Sequence, residues 1–277
     1  MKFGIQCEIL QDAPTLVEFA VEAERAGWDG FFVWDSVVFS TDEIFDIADP
    51  WVTLGAIAAR TSRIRLGPMV ACLPRRRPWV VARQAASLDR LSNGRLIMGV
   101  GLGEGPDIEN FGESTDLKVR ARQLDEGLDL VTKLWTGKRV DHRGEFYKAD
   151  GVTFQPTPVQ TPRIPIWCGG YWPARAPFRR AARWDGVFPI KVENGEFIMR
   201  PDILHEILEV VREHRTSHAP YDIVGSGVTD PSKSKENQEL IRAYADVGAT
   251  WYLESVDHFS YSLPQMHERI RSGPPRS

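Results

Sequence analysis

Short apolar, β-rich runs alternate with stretches whose apolar positions recur every three or four residues, from one end of the chain to the other. The first strand is "KFGIQCEI" (2–9). It is followed by a helix from about Pro14 to Ala26 with an apolar face of Leu16, Phe19, Ala20 and Ala23, closed by Gly27. The second unit is "DGFFVWDS" (29–36) with a helix opened by Asp49 as N-cap and Pro50 at the first helical position. The third pairs "IRLGPMVA" (64–71) with a helix from about Pro78 to Leu91, and the fourth "RLIMGVG" (95–101) with a helix carrying Leu124, Leu128, Val131 and Leu134. Then come "IPIWCGG" with "ARAPFRRAARW" (174–184), and "DGVFPI" with a helix on Leu204, Ile207, Leu208 and Val211. "DIVGSG" with Leu240, Tyr244 and Val247, and "TWYLESV" with a last helix from about Leu263, complete the series.

Alternating strands and helices imply a parallel sheet, and eight units with near-continuous apolar strands predict one closed (β/α)8 TIM-type barrel over residues 1–277. An internal echo agrees: "WDGFF" from Trp28 and "WDGVF" from Trp184 join a helix end to a strand in units two and six, on opposite sides of a barrel. Two segments break the rhythm. A short insertion, Gly103 to Asp116, follows strand four, and residues 140–165 read as a β-hairpin excursion before strand five, on the barrel's N-terminal side. The closing "SGPPRS" reads as a frayed tail.

Composition narrows the class. With 277 residues, 42% of them hydrophobic, the chain can bury a full core. A formal charge of −4 gives no basic footprint for nucleic acid. No apolar run approaches the length of a membrane span or a secretory signal, so a cytoplasmic protein without a membrane partner is expected. Cys7, Cys72 and Cys168 lack metal-ligand spacing and are expected to be reduced; no metal site is predicted.

In such a barrel the chemistry sits just after each strand. Those positions are Cys7–Glu8, Asp35–Ser36, Met69–Cys72, Gly101–Glu104, Gly169–Trp172, Pro189–Lys191, Ser226–Val228 and Glu254–Asp257, a set poor in histidine. "QCE" after strand one lacks the histidine pair of a metal-dependent hydrolase, and "VGSG" after strand seven offers no glycosidase nucleophile. A phosphosugar isomerase using "VGSG" and "CGG" as phosphate cradles stays open. The stretch "GRLIMGVGLGEG" (94–105) fails as a dinucleotide fingerprint, because Glu104 replaces its third glycine and no helix starts at once. Its glycines instead clear space beside a strand end, in a mouth suited to a planar ring.

The sequence resembles the bacterial luciferase-like family of flavin-dependent oxidoreductases along essentially its full length. The resemblance is carried by "EAERAGWDGFFVWDS", "ADPWVTLGAIAARTSRIRLGPMV", "RPWVVARQAASLDRLSNGRLIMGVGLGEG", "FGESTDLKVRARQLDEGLDLVTKLWTG" and "HRGEFYKADGVTFQPTPVQTPRIPIWCGG". It implies that Gly101 and Gly103 lie against a flavin or deazaflavin ring, with Asp35 near the pyrimidine side and Ser36 standing where the family's motif usually has histidine. Met69 and Val70 fall where the family often has a non-prolyl cis peptide beneath the ring. Gly169, Gly170 and Arg175 correspond to a phosphate-holding turn, while Arg179 and Arg180 read as a solvated helix face. Glu104 matches a glutamate of deazaflavin-using relatives and is the candidate for proton transfer, with Asp35 next. The arginines at 75–77 are read either as solvated or as receivers of a deazaflavin's anionic tail, and Phe39, Tyr171 and Trp172 as a substrate wall.

The resemblance implies an oxidoreductase in which the ring does the redox chemistry and the protein orients it. The leading expectation is a monooxygenase using reduced FMN and oxygen on a small organic substrate, supplied by a separate flavin or deazaflavin reductase. The alternative is hydride transfer with the deazaflavin coenzyme F-420. A non-catalytic flavin-binding barrel is the third reading, and a homodimer is a possible assembly.

Overall fold

The computed structural model describes residues 1–194 and 196–275. In chain order the elements are β1 (Lys2–Cys7), α1 (Ala13–Ala26), β2 (Gly30–Val33), α2 (Pro50–Arg60), β3 (Arg65–Pro68), β4 (Ala71–Cys72), a 3-10 turn (Leu73–Arg75), α3 (Pro78–Leu91), β5 (Met98–Gly101), α4 (Pro106–Glu109) and α5 (Leu117–Trp135). They continue with β6 (Arg139–Arg143), β7 (Lys148–Thr153), β8 (Ile166–Tyr171), α6 (Ala176–Ala181), β9 (Gly186–Ile190), β10 (Val192–Glu193), β11 (Glu196–Phe197), α7 (Pro201–His214), β12 (Asp222–Gly227), α8 (Ser234–Asp246), β13 (Trp251–Val256) and α9 (Leu263–Arg271).

The main sheet runs β3-β2-β1-β13-β12-β9-β8-β5-β4, with every neighbouring pair parallel. β3 and β4 are two halves of the third strand, one paired to β2 and the other to β5, so the ring closes there. A parallel bridge between Leu66 and Leu96 completes the seam. The expected eight-unit barrel is present, with its third strand divided at a cis Met69–Val70 peptide.

Strand alternation sorts side chains into two layers. Phe3, Ile5 and Cys7 of β1 pack outward against the helices, so Gly4, Gln6 and Glu8 face the lumen. The lumen is filled: Phe32, Met69, Ile97, Trp167, Phe188, Val224, Trp251 and Leu253 form one buried cluster, with Trp167 and Trp251 centroids 5.3 Å apart. Both indole N–H groups donate to Asp222, at 3.1 Å each. This floor blocks the lumen below the C-terminal strand ends.

The sequence echo has a physical meaning. Asp29 Oδ2 accepts the Phe3 N–H at 2.9 Å and Asp185 Oδ2 the Ile166 N–H at 2.8 Å, so each "WDG" joint caps the start of the neighbouring strand. Asp49 caps α2 as its sequence predicts, accepting from Val52 N at 2.8 Å.

Four details differ from the sequence expectations. The insertion after β5 contains the helical turn α4, which its irregular apolar pattern concealed. The helix of the fifth unit, α6, is only six residues long, with Pro177 in its first turn barring an earlier start. The β6–β7 excursion leaves and re-enters at the N-terminal side but reaches up along α3 and α5, where Tyr147 meets Trp79 at 6.4 Å. Ser272 and Gly273 of the expected frayed tail are held by Arg269 Nη1, at 2.9 Å each, while Arg276 and Ser277 lie outside the described residues.

Candidate active site at the barrel mouth

The strand ends converge on Val70. A Cβ built on Gly101 would stand 2.6 Å from Val70 Cγ2, one on Gly169 3.0 Å from Cγ1, and one on Gly99 3.3 Å from Cγ1. Gly101 and Gly169 therefore first make room for this valine, while Gly99 first clears Pro68 O and Met69 Sδ, at 2.5 and 2.8 Å. A Cβ at Gly103 would collide with Cys72 Sγ, and one at Gly170 with Pro177. The clearance inferred from sequence is real, but the protein's own side chains occupy much of it. Met69 is buried in the lumen cluster and serves as core.

Asp35, two residues past β2, has its side chain fully buried, accepting from Cys72 N (3.1 Å), Arg75 Nη2 (2.9 Å), Arg76 Nε (3.0 Å) and Arg76 Nη2 (2.6 Å). Arg75 Nη1 also pairs with Asp107 Oδ2 at 2.7 Å, and Asp107 Oδ1 accepts the N–H groups of Val37 and Val38. Two arginines and two aspartates thus tie together the loops after the second, third and fourth barrel strands. This corrects two expectations. Asp35 has no free face for proton transfer, and Arg75 and Arg76 are neither solvated nor open to a coenzyme tail. Arg77 alone of the run is exposed, over Trp79.

Ser36 is half-buried in the loop beyond Asp35. Glu104 is exposed on the loop beyond β5, and the Tyr171 hydroxyl at the end of β8 donates to its Oε1. Burial and this carboxylate together push the Tyr171 phenol up, so it stays a hydrogen-bond donor. Trp172 turns away from the mouth and packs on Phe178 of α6 at 5.8 Å, contrary to its expected place in the substrate wall. Arg175 and Arg179 are exposed without an ion pair among the described residues. Arg180, expected on a solvated face, is buried against Asp125, with Nε 2.8 Å from Oδ1.

The sequence list stopped one residue short of a central group. His258, two residues past β13, places Nδ1 2.5 Å from Oε2 of Glu8, and its backbone N–H donates to Glu8 Oε1 at 2.9 Å. Burial pushes the fully enclosed Glu8 carboxyl above the usual carboxylate range, opposed by the hydrogen bonds and charge of His258. With Nδ1 engaged on a partly exposed ring, Nε2 is the nitrogen left for a substrate. Around the ring stand Phe259, Phe45 and Phe39, at 3.9, 5.4 and 6.2 Å between centroids. The usable signal was Glu8, one residue past β1 and in the inward phase of that strand.

One more group faces the mouth. Gln6 Oε1 is buried without a hydrogen-bond partner among the described residues, while Gln6 Nε2 reaches Ser255 Oγ at 3.4 Å. A floor of Val70 and glycine backbone beside an orphaned amide acceptor fits a flat heterocycle with an N–H on its edge.

A barrel with a filled lumen and such a floor at its top is shaped to receive a planar heterocycle at the C-terminal strand ends. The sequence pattern of the family described as luciferase-like monooxygenase matches residues 1–259, and the chain belongs to that family. An F420-dependent glucose-6-phosphate dehydrogenase of Nakamurella multipartita is 35% identical over 179 residues, covering 63% of this chain and 52% of the relative. The chain therefore spans about half the length of such curated relatives. An uncharacterized protein of Mycobacterium tuberculosis is 34% identical over 203 residues, covering 67% of this chain and 68% of its own. Among solved structures, an F420-dependent secondary alcohol dehydrogenase in complex with an F420-acetone adduct superposes with a TM-score of 0.80 at 16% identity, covering 100% of this chain and 99% of its own. The oxygenating constituent of 3,6-diketocamphane monooxygenase from Pseudomonas putida, in complex with FMN, gives 0.62 at 20% identity, covering 87% of this chain and 71% of its own. At those identities the two structures speak to the fold.

Proposed function

We propose that the protein is a deazaflavin (F420)-dependent dehydrogenase or reductase, the alternative of the two redox readings, rather than an FMN monooxygenase. The observation that carries this is the Glu8–His258 dyad at the mouth. Removing hydride from an alcohol carbon requires a base for the hydroxyl proton, and a histidine backed by a buried carboxylate is built for that task. The relatives named as F420-dependent dehydrogenases support the same choice.

Bound F420 supplies a two-electron hydride acceptor with no oxygen chemistry. Gln6 would meet the N–H edge of its ring, Val70 and the surrounding glycine backbone its face, and exposed Arg175 its phosphate. His258 Nε2 takes the substrate proton, and Glu8 stabilises the resulting imidazolium across 2.5 Å. Glu104, held by Tyr171, is the carboxylate on the opposite wall.

Titration of the purified protein with F420 and FMN, each oxidised and reduced, tests the reading. F420 is expected to bind at least about tenfold tighter, with alcohol-dependent reduction in the absence of oxygen. Tighter binding of reduced FMN with substrate-coupled oxygen consumption overturns it in favour of the monooxygenase.

A further inference from the structure

We propose that the mouth takes an uncharged alcohol whose carbinol carbon carries apolar groups, or the matching carbonyl compound, and discriminates against sugar phosphates. The inference deepens the deazaflavin reading and rests on it.

The group that meets the substrate oxygen is set in aromatic surroundings. Besides the three rings around His258, Phe39 packs on Phe45 at 5.6 Å, Phe259 at 5.9 Å and Trp34 at 6.2 Å. Phe259 is 62% exposed and Ile44, beside Phe45, fully exposed, so apolar surface faces the entrance. Carbon groups flanking a carbinol leave water onto this surface at a gain, whereas a phosphate there loses its hydration without a replacement.

The charges near the rings have the wrong sign for a phosphate. The loop bearing Phe39 and Phe45 also bears Asp42, Glu43 and Asp46, none in an ion pair among the described residues. Glu8 lies behind His258, and Asp257 precedes it, with its carboxylate turned to the Ser260 N–H at 2.9 Å. Of the nearby cations, Arg77 lies over Trp79 and the others are engaged. Arg75 and Arg76 hold Asp35 and Asp107, and Arg120 donates to the carbonyls of Leu102 and Gly103. The exposed Arg175 and the half-buried Lys191 follow β8 and β9, which lie across the ring from β1 and β2. The barrel thus separates a cationic side, suited to the coenzyme's phosphate, from an aromatic and anionic side suited to a neutral substrate.

The redox step balances without further reactants. The carbinol C–H bond breaks and its electron pair leaves with hydrogen as hydride to F420. The hydroxyl proton passes to His258 Nε2, and the carbon–oxygen double bond forms. F420 gains two electrons and the alcohol loses two.

The test combines binding with turnover. Cyclohexanone and glucose 6-phosphate are titrated calorimetrically into the protein with and without oxidised F420, and cyclohexanol and glucose 6-phosphate are compared as reductants of F420. Cyclohexanone is expected to bind, Phe39→Asn and Phe259→Asn each to weaken it about tenfold, and Phe39→Leu to retain most of the affinity. Cyclohexanol should exceed glucose 6-phosphate in kcat/KM by at least about a hundredfold. Equal or tighter binding of glucose 6-phosphate, or cyclohexanone affinity indifferent to both asparagine variants, overturns the substrate class. If F420 does not bind while cyclohexanone binding still depends on Phe39 and Phe259, the cofactor reading fails and the apolar site stands.

Discussion

A methyl group on Gly101 would stand 2.6 Å from Cγ2 of Val70, so the most glycine-rich strand end is complementary to a neighbouring valine before any ligand arrives. Gly101→Ala should force Val70 out of place and lower stability by about 1–3 kcal/mol through overpacking. F420 affinity should fall with it. Val70→Ala removes the colliding methyl, since Val70 Cβ itself lies 3.6 Å from that position. In denaturant titrations the double variant should recover at least about 0.5 kcal/mol relative to the sum of the singles. Strict additivity would mean that Gly101 serves the ring alone.

The Glu8–His258 pair carries the second prediction. His258→Asn should lower turnover about 10²- to 10⁴-fold, the range of a lost general base, with F420 affinity little changed. Glu8→Gln keeps the size of the side chain but removes the charge that stabilises an imidazolium. It should lower kcat and move the acid limb of the pH profile of kcat/KM to lower pH, because the imidazolium loses its counter-charge, whereas His258→Asn should remove that limb. A parent-like profile in both variants would dismiss the dyad.

Asp35 separates an anchor from a catalyst. Its side chain is fully buried and pairs with two guanidinium groups, one of which also holds Asp107. Asp35→Asn leaves Arg76 without a carboxylate and Arg75 with Asp107 alone, and breaking such a buried pair typically costs about 3–5 kcal/mol. Urea unfolding should show a loss of that size. Parent-like stability with turnover abolished would return Asp35 to the chemistry.

The barrel was legible because strand and helix periods report which face of each element is buried, and eight repeats leave little choice of closure. The caps at Asp49 and Gly27 were equally legible, being local. The mouth was read less well because its contacts join residues distant in sequence. Arg75 and Arg76 look like a solvated run until Asp35 and Asp107, brought in from two other loops, are seen to pair them. Trp172 follows Tyr171, and alternation alone puts one ring over the mouth and the other on Phe178. His258 gave no strand-end signal, since a loop residue has no period. Only its 250-residue separation from Glu8, closed by the pairing of β1 with β13, makes the dyad.

The last prediction concerns Glu24, which fastens α1 to the entrance of β3. Its carboxylate accepts the N–H groups of Ser62 (3.0 Å), Arg63 (2.6 Å) and Ile64 (2.8 Å). Burial pushes this carboxyl up, but the backbone donors outweigh it and hold the group below its ordinary value of 4.5. The folded state therefore binds this proton more weakly than the unfolded one. Its stabilisation is complete above pH 4.5 and drains away as pH falls through the lower folded value. Glu24→Gln offers one neutral acceptor to three donors and should cost about 1–3 kcal/mol near neutrality. The gap between parent and variant should narrow in urea titrations repeated at about pH 3.5, because the parent's carboxylate is then being protonated as well. A gap that stays constant between the two conditions would show that the ionised carboxylate is not what holds α1 to β3.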